Sequence, residues 1–217
     1  MRFAFVFGKE VMAEVPVRRV PRQARSRERL AQVLAVADRL VATEGVEALR
    51  MVRLAQEAGI SAGSLYQYLP DRDAVLAALA ESYLERIEVV LAELVTASAR
   101  ERWEDPVAVL VDGFSEIYRR ENGFRALWFG QHGSEAIRHA DRAHKRRMAD
   151  GLRIVLLAQQ AVPDRDWLPD ACLSAQLMAD ALMQEAFRID PEGDPKLLRE
   201  LKFGLRGYLA ELSRRDD

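Results

Sequence analysis

The chain has 217 residues, a formal net charge of −2, 49% hydrophobic residues and 30% charged residues. This length fits one large domain, or a small domain joined to a medium one, with a sizeable core. No uncharged apolar run approaches the roughly 20 residues of a membrane span, and the apolar residues 1–7 are too short for a signal peptide. The single cysteine, Cys172, excludes an intrachain disulfide and favours a reducing compartment. We therefore expect a cytoplasmic protein with no membrane partner.

The charge is unevenly distributed along the chain. Residues 1–72 contain twelve Lys/Arg and eight Asp/Glu, a net charge of +4, and the remainder carries −6. A basic N-terminal part on an acidic body indicates that only the first part faces a polyanion. We predict a flexible basic arm at residues 1–22 that follows a nucleic-acid backbone or enters a minor groove; solvated surface is the alternative. Met1 and Met12 are both candidate starts of translation. The arginines in and beside this arm are Arg18, Arg19, Arg22, Arg25, Arg27 and Arg29.

Apolar residues recur at helical spacing throughout, and period-2 alternation is absent. This pattern predicts an all-helical protein with about nine helices. Gly45 and Gly59 end the first two predicted helices, Ser61 and Asp71 cap the next two, and Pro106 takes a first-turn position. The predicted elements are residues 26–43, 49–58, 62–69, 72–99, about 106–121, a short apolar piece at 124–129, and then 134–161, 169–189 and 195–214.

The second and third predicted helices have the residue types of a helix-turn-helix. Ala55 is a small residue that lets the two helices cross closely, and Gly59 tolerates the positive φ of the turn. Ile60 fixes the turn to the core, while Leu54 and Leu65 are the apolar anchors of the two helices. The pattern predicts that the third helix packs through Leu65 and leaves its other face free.

That free face presents hydroxyls, an amide and phenols, which can bond phosphates and base edges in the major groove. Ala62 and Gly63 leave the N-terminus of the helix open to a phosphate. The alternative is a plain structural scaffold with Tyr66 and Tyr68 at the edge of the core. The predicted DNA-binding residues are Arg27, Arg53, Ser61, Ala62, Gly63, Ser64, Tyr66, Gln67, Tyr68 and Arg72.

Residues 27–79 resemble the N-terminal domain of the TetR family of bacterial regulators. The resemblance rests on Gly45 and on residues 49–76, above all LAQEAGISAGSLYQYLPDRDAVL at 54–76, which is similar to the family's Ala-Gly-Val-Ser-x-Gly-x-Leu-Tyr pattern. It implies a cytoplasmic homodimer that binds a palindromic DNA operator, represses transcription and releases the DNA when a small-molecule effector binds. Carried over by position, it implies DNA contacts from Ser64, Tyr66 and Tyr68.

Arg72 stands where the family usually has a lysine that bonds a phosphate. Three other positions depart from the pattern of the family. Met51 replaces the usual Thr or Ser at the start of helix two. Ala62 replaces a frequent lysine of the recognition helix, and Leu69 replaces a common phenylalanine. These differences affect which operator sequence is bound rather than the fold.

Residues 23–72 are therefore predicted to be the DNA-binding domain and residues 73–217 a ligand-binding and dimerisation domain. The helix at 169–189 is apolar nearly all round, and the last helix repeats leucine at helical spacing. Together they fit a four-helix interface across a two-fold axis, or else an ordinary intrachain core. Aromatic and methionine side chains suit an adaptable pocket, although core packing is the alternative for each. The predicted pocket residues are Trp103, Phe114, Tyr118, Trp128, Met178, Met183 and Phe187.

No enzyme motif is present. The histidines, His132, His139 and His144, lack the spacing of a helical zinc site and are predicted to be solvated or capping. There is no nucleophile elbow, phosphate-cradling loop or dinucleotide fingerprint, and Cys172 lies on an apolar helix as an inert core residue. We predict no catalytic activity, cofactor or metal. An all-helical protein-interaction module is the alternative to a regulator.

Overall fold

The computed structural model describes residues 24–129 and 135–215, and the regular structure in these two ranges is entirely helical. The all-helical prediction is confirmed, and nine α-helices lie within the described ranges. The predicted arm at residues 1–22 and the predicted helix start at Ser134 lie outside the described residues. The helices are α1 Ala24–Glu44, α2 Met51–Glu57, α3 Ala62–Tyr68, α4 Arg72–Ser98, α5 Pro106–Arg120, α6 Asn122–Phe129, α7 Glu135–Ala158, α8 Leu168–Ile189 and α9 Pro195–Leu212.

The predicted caps and turns are confirmed. Gly45 and Gly59 have φ values of +82° and +64°, which favour glycine. The side chain of Ser61 accepts a hydrogen bond from the backbone N–H of Ser64 at 3.1 Å. The side chain of Asp71 accepts one from the N–H of Ala74 at 2.8 Å, which begins α4 where the sequence predicts it.

Three predicted boundaries are wrong. Leu49 and Arg50 are extended, so α2 begins only at Met51, after a short 3₁₀ turn at Val46–Ala48. The predicted break after α5 shrinks to Glu121, because the backbone turns helical again at Asn122. Helix α7 ends at Ala158 instead of residue 161, because the chain turns away at residues 159–160.

Helix α4 is part of both halves of the protein. Residues 74–80, which follow its first two residues, are all buried and belong to the same apolar cluster as the core of α1, α2 and α3. Farther along, Leu84, Ile87 and Leu91 continue the buried face into the C-terminal body. There α7 packs between α4 and α8, and α8 packs on α9. No helix of the described ranges is long and apolar enough to cross a membrane.

A polar contact joins α1, α4 and α6. The hydroxyl of Tyr83 on α4 donates a 2.5 Å hydrogen bond to the carboxylate of Asp38 on α1. Burial of Tyr83, together with this hydrogen bond, raises its pKa far above the usual value, so the phenol stays protonated and donates. Gly123 on α6 packs directly against both groups, and the Tyr83 ring meets Phe124 edge-on at 5.7 Å between centroids. This junction therefore requires a residue without a side chain at position 123.

We predict that Gly123→Ala destabilises the protein by about 1–3 kcal/mol, because its Cβ overlaps the Asp38 carboxylate and the Tyr83 hydroxyl. Gly63→Ala is the matched control, since no atom lies within 4 Å of its Cβ, and its stability is expected to be unchanged or raised by at most about 1 kcal/mol. Chemical denaturation followed by circular dichroism measures both. Equal stability of Gly123→Ala and the wild type would contradict the close packing at this junction.

Candidate nucleic-acid interface and interior cavities

The helix-turn-helix is assembled as the sequence predicts. Leu54 and Ala55 on α2 and Leu65 on α3 are buried, and Ile60 in the turn is half-buried against the same cluster. The amide of Gln32 on α1 donates a 3.0 Å hydrogen bond to the carbonyl of residue 58, which ties the turn to the first helix. The anchors thus fix the orientation of α3 from its buried side.

The opposite side of α3 is exposed. The Tyr66 ring lies on this side with 42% of the residue exposed, and the Ser64 hydroxyl is half-buried beside the cap. Tyr68 is placed differently, because it packs on the apolar cluster and its hydroxyl lies 3.3 Å from the Ser26 hydroxyl of α1. It therefore also has a structural role. The exposed residues among the predicted contacts on or beside α3 are Ser61, Ala62, Gly63, Tyr66 and Gln67.

Arg53 is held in an ion-pair network. Its guanidinium pairs with Glu44 at 2.6 Å and with Glu57 at 2.7 Å, and Glu57 also pairs with Arg39 at 2.7 Å. The hydrogen bond from Arg53 lowers the pKa of the Glu44 carboxyl, and hydrogen bonds from Arg39 and Arg53 lower that of Glu57. Arg53 can therefore contact a phosphate only if its ion pairs with Glu44 and Glu57 are replaced.

Arg72 holds the start of α4 in place. Its Nη2 donates to the carbonyl of Val46 at 2.9 Å and lies 3.1 Å from the Glu47 carboxylate. This connects α4 to the 3₁₀ turn that precedes α2. Arg27, the remaining predicted contact, lies exposed on α1. The DNA contacts assigned to Arg27, Arg53 and Arg72 stay predictions.

A first cavity of about 70 Å³ lies inside the C-terminal body. Its walls come from α4, α5, α7, α8 and α9, and almost all of them are aliphatic or aromatic; Leu91, Val111, Leu156 and Leu209 are typical. Gln176 contributes an amide. Such a surface favours an apolar molecule or segment.

A second cavity of about 50 Å³ lies beside the first. The two share the wall residues Phe114, Met148, Gln176, Ala179 and Met183. Most of the other residues that line the second cavity are aromatic or polar, and α6 contributes two of them. The residues that line only the second cavity are Leu84, Ile87, Tyr118, Phe124, Trp128, Asp141, His144 and Asp180.

Four of the seven predicted pocket residues line these cavities: Phe114 and Met183 line both, and Tyr118 and Trp128 line the second. The other three line neither. Trp103 lies in the connection between α4 and α5, where its indole N–H donates to Glu101 at 3.1 Å. Met178 is 41% exposed on the outer side of α8. Phe187 is buried behind the second cavity, with its ring stacked on Tyr118 at 4.8 Å.

Several polar residues of the interior carry no signal in the sequence. The prediction that His144 is solvated or capping is wrong, because it is 5% exposed and its Nδ1 lies 2.9 Å from the Glu88 carboxylate. Glu88 also accepts a 2.7 Å hydrogen bond from Arg147. Cys172 is buried as predicted, and burial raises the pKa of its thiol to about 11. The sequence shows that Arg147 lies three positions after His144, but it does not show that both side chains contact Glu88 on α4.

Two family models match the chain. The model described as "Bacterial regulatory proteins, tetR family" matches residues 33–79, which contain the helix-turn-helix. The model described as "Tetracyclin repressor-like, C-terminal domain" matches residues 101–212, more than half of the chain. The two matches therefore cover both the exposed helix and the body with the cavities.

Individual proteins agree with these matches. The nucleoid occlusion factor SlmA of Glaesserella parasuis is 31% identical over 136 residues, which are 62% of this chain and 63% of that protein, so the chain spans somewhat less than two thirds of this relative. A TetR-family transcriptional regulator from Streptomyces coelicolor has a TM-score of 0.62 at 26% identity, over 85% of this chain and 99% of that one. RolR, solved in complex with the ligand resorcinol, shares the fold, with a TM-score of 0.57 at 21% identity over 89% and 97% of the two chains.

Both family models and the SlmA relative indicate a regulator, and the matched families consist of DNA-binding proteins rather than enzymes. The helix-turn-helix with its exposed α3 accounts for the N-terminal match, and the helical body accounts for the C-terminal one. The chain belongs to the TetR family and is a DNA-binding transcriptional regulator.

Proposed function

We propose that the protein is a ligand-responsive repressor that acts on DNA in the cytoplasm. It binds a palindromic operator as a homodimer and releases it when a small molecule enters the interior cavities. The observation that carries the proposal is the path of α4. This helix begins at Arg72, whose guanidinium donates a hydrogen bond to the 3₁₀ turn before α2. Its later residues Leu84, Ile87 and Leu91 line the two cavities.

The proposed reading face is the exposed side of α3. Tyr66 and Gln67 project there without a role in the core, and Ser61 and Ser64 add hydroxyls at the N-terminus of the helix. Phenol, amide and hydroxyl groups can bond both phosphates and base edges. With Ala62 in place of a basic residue, the face carries few charges, so arginines around it are expected to supply much of the backbone affinity.

We predict that Tyr66→Ala abolishes measurable binding to duplexes selected from a random pool, because the exposed ring is lost from the centre of the reading face. Tyr66→Phe separates the hydroxyl from the ring and is expected to weaken binding without abolishing it. Fluorescence anisotropy measures the affinity, and circular dichroism checks that both variants are folded. Normal operator binding by a folded Tyr66→Ala protein would place the reading face elsewhere.

A dimer is supported by the outer surface of α8 and α9. Leu177 and Met178 on α8 are 46% and 41% exposed, and Phe203 on α9 is 74% exposed. Gly204 and Gly207 leave open space beside α9, so a second helix can approach closely. Large exposed apolar side chains on neighbouring helices are typical of an association surface. A two-fold pair of these helices places two reading faces on one DNA, with half-sites about 34 Å apart.

Phe203→Lys is expected to shift the protein from dimer to monomer, because it places a charge in the proposed interface. Val89→Lys is the matched control, since Val89 is also exposed, at 58%, but lies on α4. Sedimentation velocity at micromolar concentration reads the oligomeric state of both variants. A dimeric Phe203→Lys protein, or a monomeric Val89→Lys protein, would contradict the proposed interface.

The sizes of the cavities support coupling between ligand and DNA. A cavity of about 150 Å³ is known to hold benzene in another protein, whereas the two cavities here measure about 70 and 50 Å³. A ligand of that size therefore has to displace the walls. Those walls include α4 and, through Phe124 and Trp128, helix α6, whose first turn contacts Asp38 on α1. Displacement of these walls is a route to a changed spacing of the reading faces.

Coupling of this kind is reciprocal. A compound that releases the selected operator, found by screening, is expected to bind the operator complex about ten times more weakly than the free protein. Isothermal titration calorimetry with and without the duplex measures both affinities. Tyr66→Ala protein serves as the control, because its ligand affinity should not respond to the duplex. Equal affinities of the wild-type protein in both titrations would exclude the proposed coupling.

A further inference from the structure

The lining of the second cavity combines aromatic rings with hydrogen-bond acceptors. Phe114, Tyr118, Phe124 and Trp128 form its aromatic part, and Phe124 lies 4.7 Å from Trp128 and 5.1 Å from Tyr118 between ring centroids. An aromatic face attracts a cation that lies within about 6 Å of the ring centroid. The aromatic part alone is also compatible with an uncharged ring, so the polar part decides the chemistry of the ligand.

Two polar side chains of this lining can bond a ligand. Tyr118 is only 6% exposed, and it lines the second cavity. The half-buried Gln176 lies on the wall common to both cavities. A phenol and an amide can each donate or accept a hydrogen bond, so both suit a ligand with a polar group.

The two carboxylates of the lining share one cation. Lys145 lies 2.8 Å from Asp141 and 2.9 Å from Asp180. Asp180 also accepts a 2.8 Å hydrogen bond from Gln184, which adds no charge. One ammonium does not neutralise two carboxylates, so this group of three side chains carries an excess negative charge. Both carboxylates also raise the pKa of Tyr118, after the larger effect of its burial, which indicates that their field reaches the cavity.

Glu88, beside the same wall, has its own partners. It is half-buried, which opposes its charge, but hydrogen bonds from His144 and Arg147 outweigh this and lower its pKa. The Nδ1 atom of His144 lies 2.9 Å from the Glu88 carboxylate. Arg147 pairs with this carboxylate at 2.7 Å and compensates its charge, so Glu88 and Arg147 together do not cancel the charge of Asp141 and Asp180.

We infer that the effector is an amphipathic organic ammonium compound, with its protonated amine in the second cavity and its apolar tail in the first. This inference rests on the proposed function, because it names the ligand class of the same site. The amine supplies N–H donors to Asp141, Asp180 and Tyr118 and neutralises the excess negative charge. The tail meets the aliphatic walls of the first cavity, and the shared wall allows one molecule to span both. A carboxylate in the same place would be repelled.

The test compares three probes with the same eight-carbon chain: octylammonium chloride, 1-octanol and sodium octanoate. Each is titrated into the full chain at pH 7 in a calorimeter. Octylammonium is expected to bind at least about ten times more tightly than either other probe, a factor that corresponds to about 1.4 kcal/mol. Octanol measures the contribution of the apolar tail, and octanoate measures the sign of the field in the cavity.

Asp180→Asn keeps the shape of the side chain and removes one charge. It is expected to weaken octylammonium binding about tenfold and to leave octanol binding unchanged. Asp141→Asn is the second variant and should have the same effect if Asp180→Asn fails to fold. Asp112→Asn is the matched control, because it removes the carboxylate of another Asp–Lys pair, 2.6 Å from Lys202, that lies on the surface. It is expected to bind all three probes like the wild type.

The inference is overturned if octanol or octanoate binds as tightly as octylammonium, if both asparagine variants keep the octylammonium affinity of the wild type, or if no probe binds. These results leave the proposed ligand response intact, because screening for operator release uses other compounds. Conversely, octylammonium that binds with the expected selectivity supports the inference even if it leaves the operator bound. The two proposals therefore fail separately.

Discussion

The fold depends on one continuous helix that is buried in two places. Helix α4 has 27 residues, a length of about 40 Å at 1.5 Å per residue, and no break between its two ends. Residues 74–80 are enclosed with the helix-turn-helix, and Leu84, Ile87 and Leu91 are enclosed with the cavities. A packed helix resists bending, so a displacement at the cavities is expected to reach Arg72 and the 3₁₀ turn before α2. The remaining helices pack around one half of α4 or the other.

Partly buried polar contacts specify how α4 meets its neighbours. Tyr83 bonds Asp38 on α1, and Glu88 bonds His144 and Arg147 on α7. A buried polar group that loses its partner costs about 1–3 kcal/mol, so these contacts favour discrete arrangements over gradual sliding. Helix α6 contributes to both regions, because Gly123 packs on the Tyr83 contact and Phe124 lines the second cavity. Helices α4 and α6 together are thus the physical connection between the proposed ligand site and the proposed reading face.

Local features could be predicted from the sequence, and features that depend on packing could not. The caps at Ser61 and Asp71 and the turn at Gly59 need only nearby residues, so α3 lies where the sequence predicts it. Met178 was expected in the pocket, but which side of α8 faces inward is decided by α7 and α9, far away in the chain. His144 was misjudged for the same reason, since Glu88 lies 56 residues earlier. The division into two domains between residues 72 and 73 stays a prediction, because α4 packs against helices of both predicted domains.

The central claim is that a ligand in the cavities changes the spacing of the two reading faces through α4. Val52 is an exposed position on α2, and a spin label attached to the cysteine of a Val52→Cys variant reports this spacing in the dimer. Pulsed electron paramagnetic resonance measures the distance between the two labels. Cys172 needs no replacement, because it is buried and its raised pKa keeps the thiol unreactive. The account predicts one label-to-label distance in the operator complex and a distance several ångströms different when an operator-releasing ligand is bound. The same distance distribution in both states would contradict it.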